Sequence, residues 1–270
     1  MRRRRINGMF ARTEEAVEQL PRNLSVAITD NRAGLGTNLT YLRETLSMRQ
    51  DKEQVSTDTD TSARGSFRDE LDKVHHSLQW VVEDVSLPED NGAALAEAIR
   101  ANQGRCMSDG SLKDLFGTSG FVSMLKDEQK NYAGTNRIPG EDNDQSSYRS
   151  ELVGLLANVI IHNALCRAHN ITDDHEIIIG CDNESAIWTA FGDDHIAADV
   201  ASSDILHAIH YQIKASPLKW TTKWVQGHQD NKKQLLDTWA LANIACDAHA
   251  GPVMDDVIFV DLIVDGFIDI

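Results

Sequence analysis

Basic residues are scarce in this sequence. Its 270 residues include 26 lysines and arginines but 42 aspartates and glutamates, which gives a formal net charge of −16. Because phosphate groups bind to a basic surface, this balance argues against a protein that coats nucleic acid without selectivity. It leaves room for a local cationic groove, or for a site at which a metal ion bridges the protein and a phosphate.

Closely spaced cysteine pairs are lacking as well. The four cysteines lie in apolar segments typical of helices or strands, and no two of them form a C-x-x-C pattern. This arrangement predicts buried, reduced thiols and favours an intracellular compartment. The four residues are Cys106, Cys166, Cys181 and Cys246.

Long apolar runs and secretion signals are missing too. No apolar run reaches the roughly 18 uncharged residues of a membrane helix, so no membrane association is expected. The first residues, MRRRRINGMFAR, lack the apolar core of a signal peptide, which predicts a nuclear or cytoplasmic protein that is not secreted. This basic start fits either a nuclear-targeting or phosphate-binding arm or a disordered terminus.

Changes in composition divide the chain into four parts. A poorly structured or weakly helical segment ends in the linker-like stretch STDTDTSARGS. In the helical lead-in that follows, apolar residues recur at helical spacing from Phe67 to Val81. Strands then alternate with helices, which predicts an α/β domain, and an acidic, apolar tail of unknown role ends the chain. The predicted bounds are 1–66, 67–101, 102–250 and 251–270.

Periodicity predicts the order of elements in the α/β domain. A first strand ends at Ser108-Asp109-Gly110, and the next two contain FVSML and QKNYAGTNR. EIIIGCD is apolar almost throughout, as a buried central strand is, and KWTTKWV alternates as a strand. The last helix, LLDTWALANIACDAHA, is expected to stop at Gly251-Pro252. Earlier helices are predicted at about 147–168, 184–191 and 203–215.

Three acidic residues stand at the ends of these elements. Asp109 closes the first strand, Asp182 closes the central strand, and Glu151 lies in the first turns of the long helix. Taken singly, each fits a structural role as a turn residue, a helix cap or a helix-dipole partner. Strands that end at one sheet edge would bring the carboxylates together, and such a cluster is tolerated when divalent cations bind to it.

Five short motifs follow one another in a recognisable order. D-G-S lies at 109–111, Y-R-S-E-L at 148–152, C-D-N at 181–183, V-Q-G-H at 225–228 and N-x-x-x-D-x-x-A at 243–250. No single motif is specific, but together they resemble the signature of type 1 ribonuclease H. They look most similar to the ribonuclease H domains attached to retrotransposon reverse transcriptases. The resemblance covers about residues 102–250.

The resemblance implies a fold, a reaction and a set of roles. The fold is a ribonuclease H-like five-stranded mixed sheet flanked by helices. The reaction is endonucleolytic hydrolysis of the RNA strand of RNA–DNA hybrids with two ions of Mg²⁺ or Mn²⁺. The partners that the resemblance implies are the hybrid and a reverse transcriptase. His228 would assist proton transfer or product release. The implied metal ligands are Asp109, Glu151, Asp182 and Asp247, and the implied substrate contacts are Ser111, Ser147, Tyr148, Arg149 and Asn183.

Several residues depart from the family pattern. Ser147 and Tyr148 stand where the family often has two asparagines, and Glu184 stands where a glutamine is common. Such amides contact the minor groove of the hybrid, so their loss weakens the binding of the hybrid that the resemblance implies. Residues 102–250 hold 12 basic and 20 acidic residues, and they contain no basic, tryptophan-rich helix. Binding of the substrate must therefore come from elsewhere.

Three functions compete for this sequence. The complete acidic quartet favours a metal-dependent endonuclease acting on RNA–DNA hybrids and derived from a retroelement. The altered amides and the short final helix favour a catalytically decayed scaffold or nucleic-acid-binding module. A transposase or integrase on the same fold is the weaker third hypothesis, because those sites lack this arrangement of glutamate and histidine.

Overall fold

The computed structural model describes residues 65–172, 174–193, 195–227, 229 and 236–264, with the backbone alone for 252–264. The predicted N-terminal segment, most of its linker and the end of the tail lie outside these residues. The helices are α1 (Phe67–Asp72), α2 (Ala93–Arg100), α3 (Ser147–His169), α4 (Glu184–Phe191), α5 (Ser203–Ala215) and α6 (Thr238–Val264). The strands are β1 (Val85–Ser86), β2 (Gly104–Lys113), β3 (Phe116–Ser123), β4 (Ala133–Arg137), β5 (His175–Cys181) and β6 (Leu218–Trp224).

A mixed sheet of six strands forms the centre of the fold, in the order β1-β4-β3-β2-β5-β6. β2, β3 and β4 pair antiparallel, whereas β5 lies parallel to both β2 and β6. The mixed α/β architecture predicted from the sequence is therefore confirmed. The expected five strands become six because the two-residue strand β1, from the lead-in, pairs with the edge of β4.

Helix α3 is the core helix of the protein. It begins where the Ser146 side chain accepts a hydrogen bond from the Arg149 backbone N–H at 3.0 Å, and it ends at Asn170 in a left-handed conformation. Among the described residues, α3 is the one helix long and apolar enough to cross a membrane, but 83% of its most apolar window is buried inside the protein. The predicted bounds of about 147–168 are confirmed to within a residue.

Helices α3 and α6 cover opposite faces of the sheet. Successive residues of a strand point to opposite faces. Ser108 of β2 lies against Gly154 of α3, whereas the preceding residue, Met107, belongs to a buried cluster with Trp239 and Cys246 of α6. All four cysteines are buried and free, as the sequence predicts.

Strand β2 extends further than its sequence pattern suggests. It was expected to end at Asp109, but it continues to Lys113 and forms a hairpin with β3. Asp114 and Leu115 make the turn with φ values of 50° and 68°, the left-handed geometry of a tight hairpin. The expectation was wrong because the glycine after Asp109 marks a close contact with α3, described below, and not a turn.

Two further boundaries differ from expectation. β4 covers only Ala133–Arg137, since Glu128–Lys130 forms a single 3₁₀ turn. Helix α6 was expected to stop at Gly251-Pro252, yet its backbone stays helical to Val264. A proline inside a helix removes one N–H donor, and the bonds on either side of it can continue.

The first part of the lead-in, residues 67–81, packs on α3 as two short helices. α1 ends at Asp72, where the Gln79 side-chain amide donates to the carbonyl oxygens of Asp72 at 3.1 Å and of Val74 at 2.6 Å. The 3₁₀ helix His76–Val81 follows. The guanidinium of Arg167 on α3 bonds the Glu70 carboxylate at 3.0 Å, which ties α1 to the core helix.

A buried polar network joins α3 to the sheet. The Tyr132 hydroxyl donates to the Asn158 side-chain oxygen at 2.6 Å, and the Asn158 amide donates to the Met107 carbonyl at 3.1 Å. His162 Nδ1 lies 2.8 Å from the Asn158 backbone oxygen, so it must be the donor. Tyr132, Asn158 and His162 are each no more than 1% exposed.

We predict that Tyr132→Phe lowers the free energy of unfolding by about 1–3 kcal/mol, because it leaves the Asn158 oxygen buried without its donor. Urea denaturation measures the change. Tyr148→Phe is the matched control, since the Tyr148 hydroxyl bonds Thr189 at an exposed position and its removal should change stability by less than about 0.5 kcal/mol. Equal effects for the two variants would contradict a structural role for the network.

Candidate active site

Asp109 and Glu151 are brought together by a contact between β2 and α3. The glycine that follows Asp109 lies so close to α3 that a Cβ at Gly110 would overlap the backbone nitrogen of Glu151. A residue without a side chain therefore lets the first turns of α3 rest directly on the strand. The Asn243 amide of α6 donates to Asp109 Oδ2 at 3.0 Å and fixes that carboxylate from the other side.

Glu151 is the most buried carboxylate of the site, with 4% of its surface exposed. The Cys181 thiol donates to its Oε2 at 3.4 Å. Burial raises the pKa of Glu151 well above its usual range, and the nearby Asp109 and Asp182 carboxylates raise it further. This environment favours the protonated acid unless cations bind nearby.

Asp182 follows β5, the parallel neighbour of β2, so it lies at the same edge of the sheet as Asp109. The indole N–H of Trp224 donates to its backbone oxygen at 2.8 Å. A Cβ at Gly227 would overlap Asp182 Oδ2, so the chain that leaves β6 passes directly over this carboxylate. That close approach is the reason a glycine is needed there.

The fourth acid, Asp247, is an exposed residue of α6. It lines the same cleft as Asp109, Glu151 and Asp182, and the cleft has a volume of about 680 Å³. Burial is the main cause that raises the pKa of Asp109 to about 7, and the Asp182 and Asp247 carboxylates add to it. The structure thus brings all four acids of the sequence-based assignment into one cleft.

The donor set suits a hard divalent cation. Ligand atoms of Glu151, Cys181 and Asp182 lie within 4.8 Å of one another. Carboxylate oxygens are the ligands that Mg²⁺ and Mn²⁺ prefer. The raised pKa values of Asp109 and Glu151 fit this interpretation, because a bound cation would offset the repulsion that favours their protonation.

The sequence-predicted substrate contacts are divided between the cleft and its surroundings. Ser111, Ser147 and Asn183 line the cleft. Asn183 Oδ1 accepts from the Ala186 backbone N–H at 3.1 Å and caps α4. Tyr148 does not line the cleft and bonds Thr189 instead. His228 lies outside the described residues.

Arg149 is placed differently from its assignment as a substrate contact. Its side chain is 8% exposed and bonds both oxygens of Asp204 on α5, at 2.7 Å and 2.6 Å. Its Nε donates to the Pro139 carbonyl at 3.2 Å. Glu151, two residues along α3, faces the cleft. Arg149 therefore connects α3 to α5 and does not line the cleft, and its role as a substrate contact stays a prediction.

Sequence reasoning missed several residues of the site. Asn243 and Cys181 lie inside the quoted motifs, but only the structure shows that they donate to Asp109 and Glu151. Trp224 and Leu112 also line the cleft. The alternation of side chains along a strand predicts which face of the sheet Trp224 and Leu112 occupy, but it does not predict that a cleft lies next to them.

Comparison with known proteins finds similarity at the level of solved structures. RNase H1 from the halophilic archaeon Halobacterium salinarum NRC-1 is 18% identical, with a TM-score of 0.37 over 57% of this chain and 98% of that one. LC11-RNase H1 in complex with an RNA/DNA hybrid is 12% identical, with a TM-score of 0.35 over 57% of this chain and 99% of that one. The prototype foamy virus protease-reverse transcriptase is 12% identical, with a TM-score of 0.34 over 55% of this chain and 20% of that one.

No protein-family model matches the sequence, and no curated protein matches it.

We predict that Arg149→Ala lowers the free energy of unfolding by about 3 kcal/mol, the lower end of the range for a buried pair, because Asp204 is partly exposed. Arg167→Ala is the control. Its side chain is 48% exposed, so its loss should cost about 1 kcal/mol or less. Chemical denaturation measures both, and an Arg149→Ala protein as stable as the parent would show that the ion pair has no structural role.

The pKa of Asp109 predicts how stability depends on pH. Its pKa is raised from 3.8 to about 7, so the folded protein retains a proton that the unfolded chain loses. The free energy of unfolding should therefore fall as pH rises from about 4 to about 7. Asp109→Asn removes this charge and should stabilise the protein at pH 8 by up to about 4 kcal/mol, at roughly 1.4 kcal/mol per pKa unit.

Urea denaturation in a metal chelator at pH 5 and pH 8 measures the effect. Asp199→Asn is the control, because it removes one exposed carboxylate that does not line the cleft. An Asp109→Asn protein with the same pH dependence as the parent would show that Asp109 ionises without cost in the folded cleft.

Proposed function

We propose that the protein is a metal-dependent endonuclease that hydrolyses the RNA strand of RNA–DNA hybrids. The convergence of four carboxylates in one cleft carries this proposal. All four come from parts of the chain distant in sequence, and Gly110 and Gly227 allow close contacts that help to assemble them. Gathering these acids costs stability in the folded protein, so a structural role alone does not account for them.

Two ions of Mg²⁺ or Mn²⁺, when bound, would stabilise the attacking and leaving oxygens of a phosphodiester displacement. Asp109, Glu151, Asp182 and Asp247 would supply the oxygen ligands. Asn243 would hold the Asp109 carboxylate in place, and the Cys181 thiol would do the same for Glu151.

His228 would transfer a proton or help the product leave, as the motif V-Q-G-H implies. Its predecessor, Gly227, lies against the Asp182 carboxylate. The loop therefore departs from the cleft itself, which supports a role for its histidine in the same reaction.

Recognition of the hybrid would use the polar rim of the cleft. Ser111, Ser147 and Asn183 line it with hydroxyl and amide groups suited to ribose and phosphate oxygens. Glu184 also lines the rim and adds negative charge that opposes phosphate. We therefore expect binding to the cleft alone to be weak.

A reverse transcriptase partner and a retroelement origin remain proposals that rest on the order of the sequence motifs. We also propose a nuclear or cytoplasmic location, which the four buried, free cysteines support. Co-purification of the tagged protein with a polymerase would test the partnership.

The activity is tested with a labelled RNA strand, alone and paired with DNA, in Mg²⁺ and then in Mn²⁺. We predict cleavage of the hybrid RNA and none of the single strand, because both the groove shape and the DNA strand are recognised. Equal cleavage of the single strand would indicate a different nuclease. Lack of cleavage with either metal, together with no metal binding in calorimetry, would favour the catalytically decayed scaffold.

Two variants assign the chemistry within the same assay. Asp109→Asn should abolish cleavage, because it removes charge that the ions require. His228→Ala should slow turnover by about 10²–10⁴-fold and leave measurable activity. Full activity in Asp109→Asn would remove Asp109 from the site. Asp199→Asn again serves as the matched control, since Asp199 does not line the cleft.

A further inference from the structure

Arg105 and Lys223 lie over one tryptophan ring on the face of the sheet that α6 covers. The Arg105 guanidinium carbon is 6.0 Å from the centroid of the Trp239 ring, and Lys223 Nζ is 5.6 Å from the same ring. Both basic residues are exposed, whereas Trp239 is 8% exposed. We call these three residues the cation–indole bridge.

The sheet explains why the two cations meet. Arg105 lies on β2 and Lys223 on β6, on either side of β5. Lys223 is in register with Gly180 of β5, and a Cβ at Gly180 would lie 2.7 Å from the indole of Trp239. The glycine leaves space for the ring, which fills the gap between the two basic side chains.

The charges of the bridge are not balanced by the protein around it. Neither Arg105 nor Lys223 forms an ion pair with a carboxylate among residues 65–227 and 236–251, the gaps noted above excepted. Two positive charges on one ring repel each other, and an anion bound beside them would offset that repulsion. Contact with the indole face stabilises each cation but supplies no negative charge.

The bridge lies on the face of the sheet to which Asp109, one of the four carboxylates of the acidic cleft, also points. Arg105, Met107 and Asp109 alternate along β2 and share one face, so Arg105 is about 13 Å from Asp109 along the strand. Lys223 is next to Trp224, which lines the cleft, although the two side chains leave β6 on opposite faces. A polynucleotide bound in the cleft extends beyond the reacting phosphate and would pass over this surface.

We propose that Arg105 and Lys223 bind the phosphate backbone of the nucleic acid beside the cleft. This inference rests on the proposed function. The two residues would supply the basic contact with nucleic acid that an acidic protein without a basic helix requires. The contact would depend on phosphate charge and not on base sequence, so duplex DNA should bind to it as well as a hybrid does.

The test measures how binding of the full-length protein depends on salt. Fluorescence anisotropy follows a labelled RNA–DNA hybrid over a series of NaCl concentrations, in Ca²⁺ in place of Mg²⁺, with the hybrid checked on a gel for integrity. Arg105→Gln and Lys223→Gln should each lower the slope of log affinity against log salt by about 1, and the double variant by about 2. Duplex DNA should give the same differences.

Three variants serve as controls. Lys214→Gln removes an exposed charge on α5 and should leave the slope unchanged. Arg105→Lys and Lys223→Arg keep the charges and should keep the slope. Thermal unfolding of each variant separates loss of binding from loss of folding.

The outcomes of binding and cleavage are independent. Unchanged slopes in the folded double variant would overturn the inference and show that both cations only cover Trp239, even if the parent cleaves the hybrid. Failure of the parent to bind hybrid or duplex DNA at any salt concentration would overturn it too. Lowered slopes without cleavage would support the bridge and reject the proposed nuclease.

Discussion

Repulsion between carboxylates is the constraint on which the rest of this structure depends. Asp109, Glu151 and Asp182 share a partly buried cleft with Asp247, and a low dielectric strengthens their repulsion. The fold holds them with rigid partners, since the thiol of Cys181 and the amide of Asn243 donate to two of the four. The pKa of Asp109 is nevertheless raised to about 7, by burial and then by the Asp182 and Asp247 carboxylates, so the donors do not offset the whole cost of gathering the acids. Positive charge from outside the protein would offset that cost.

The parts predictable from sequence are those with strong periodicity. The apolar run of β5 and the length of α3 are local properties, so the strand and helix carrying Asp182 and Glu151 could be placed before the structure was known. The motifs assign five residues to catalysis. Four of them, Asp109, Glu151, Asp182 and Asp247, line the cleft, and His228 lies outside the described residues. The motifs alone did not show that Arg149 turns away from the cleft, because the acceptor, Asp204, is 55 residues further along the chain.

What the sequence did not predict depends on contacts between distant elements. Gly110 indicates a turn when it is considered locally, but its actual role is to admit α3 against β2. Strand β1 has two residues and no pattern of its own, and it forms only because β4 offers an unpaired edge. The helical continuation through Pro252 likewise requires that the surrounding backbone bonds compensate for one missing donor.

The lead-in has a consequence for any shortened version of this protein. A fragment beginning at residue 102 would include every carboxylate of the cleft, yet it would lose β1 and α1. β4 would then present a bare edge to other molecules, which is a common route to aggregation. The surface of α3 around Leu165, which Gly92 covers closely, would face water. Any shortened version of the chain therefore needs the lead-in from Phe67 onward, well before Asp109.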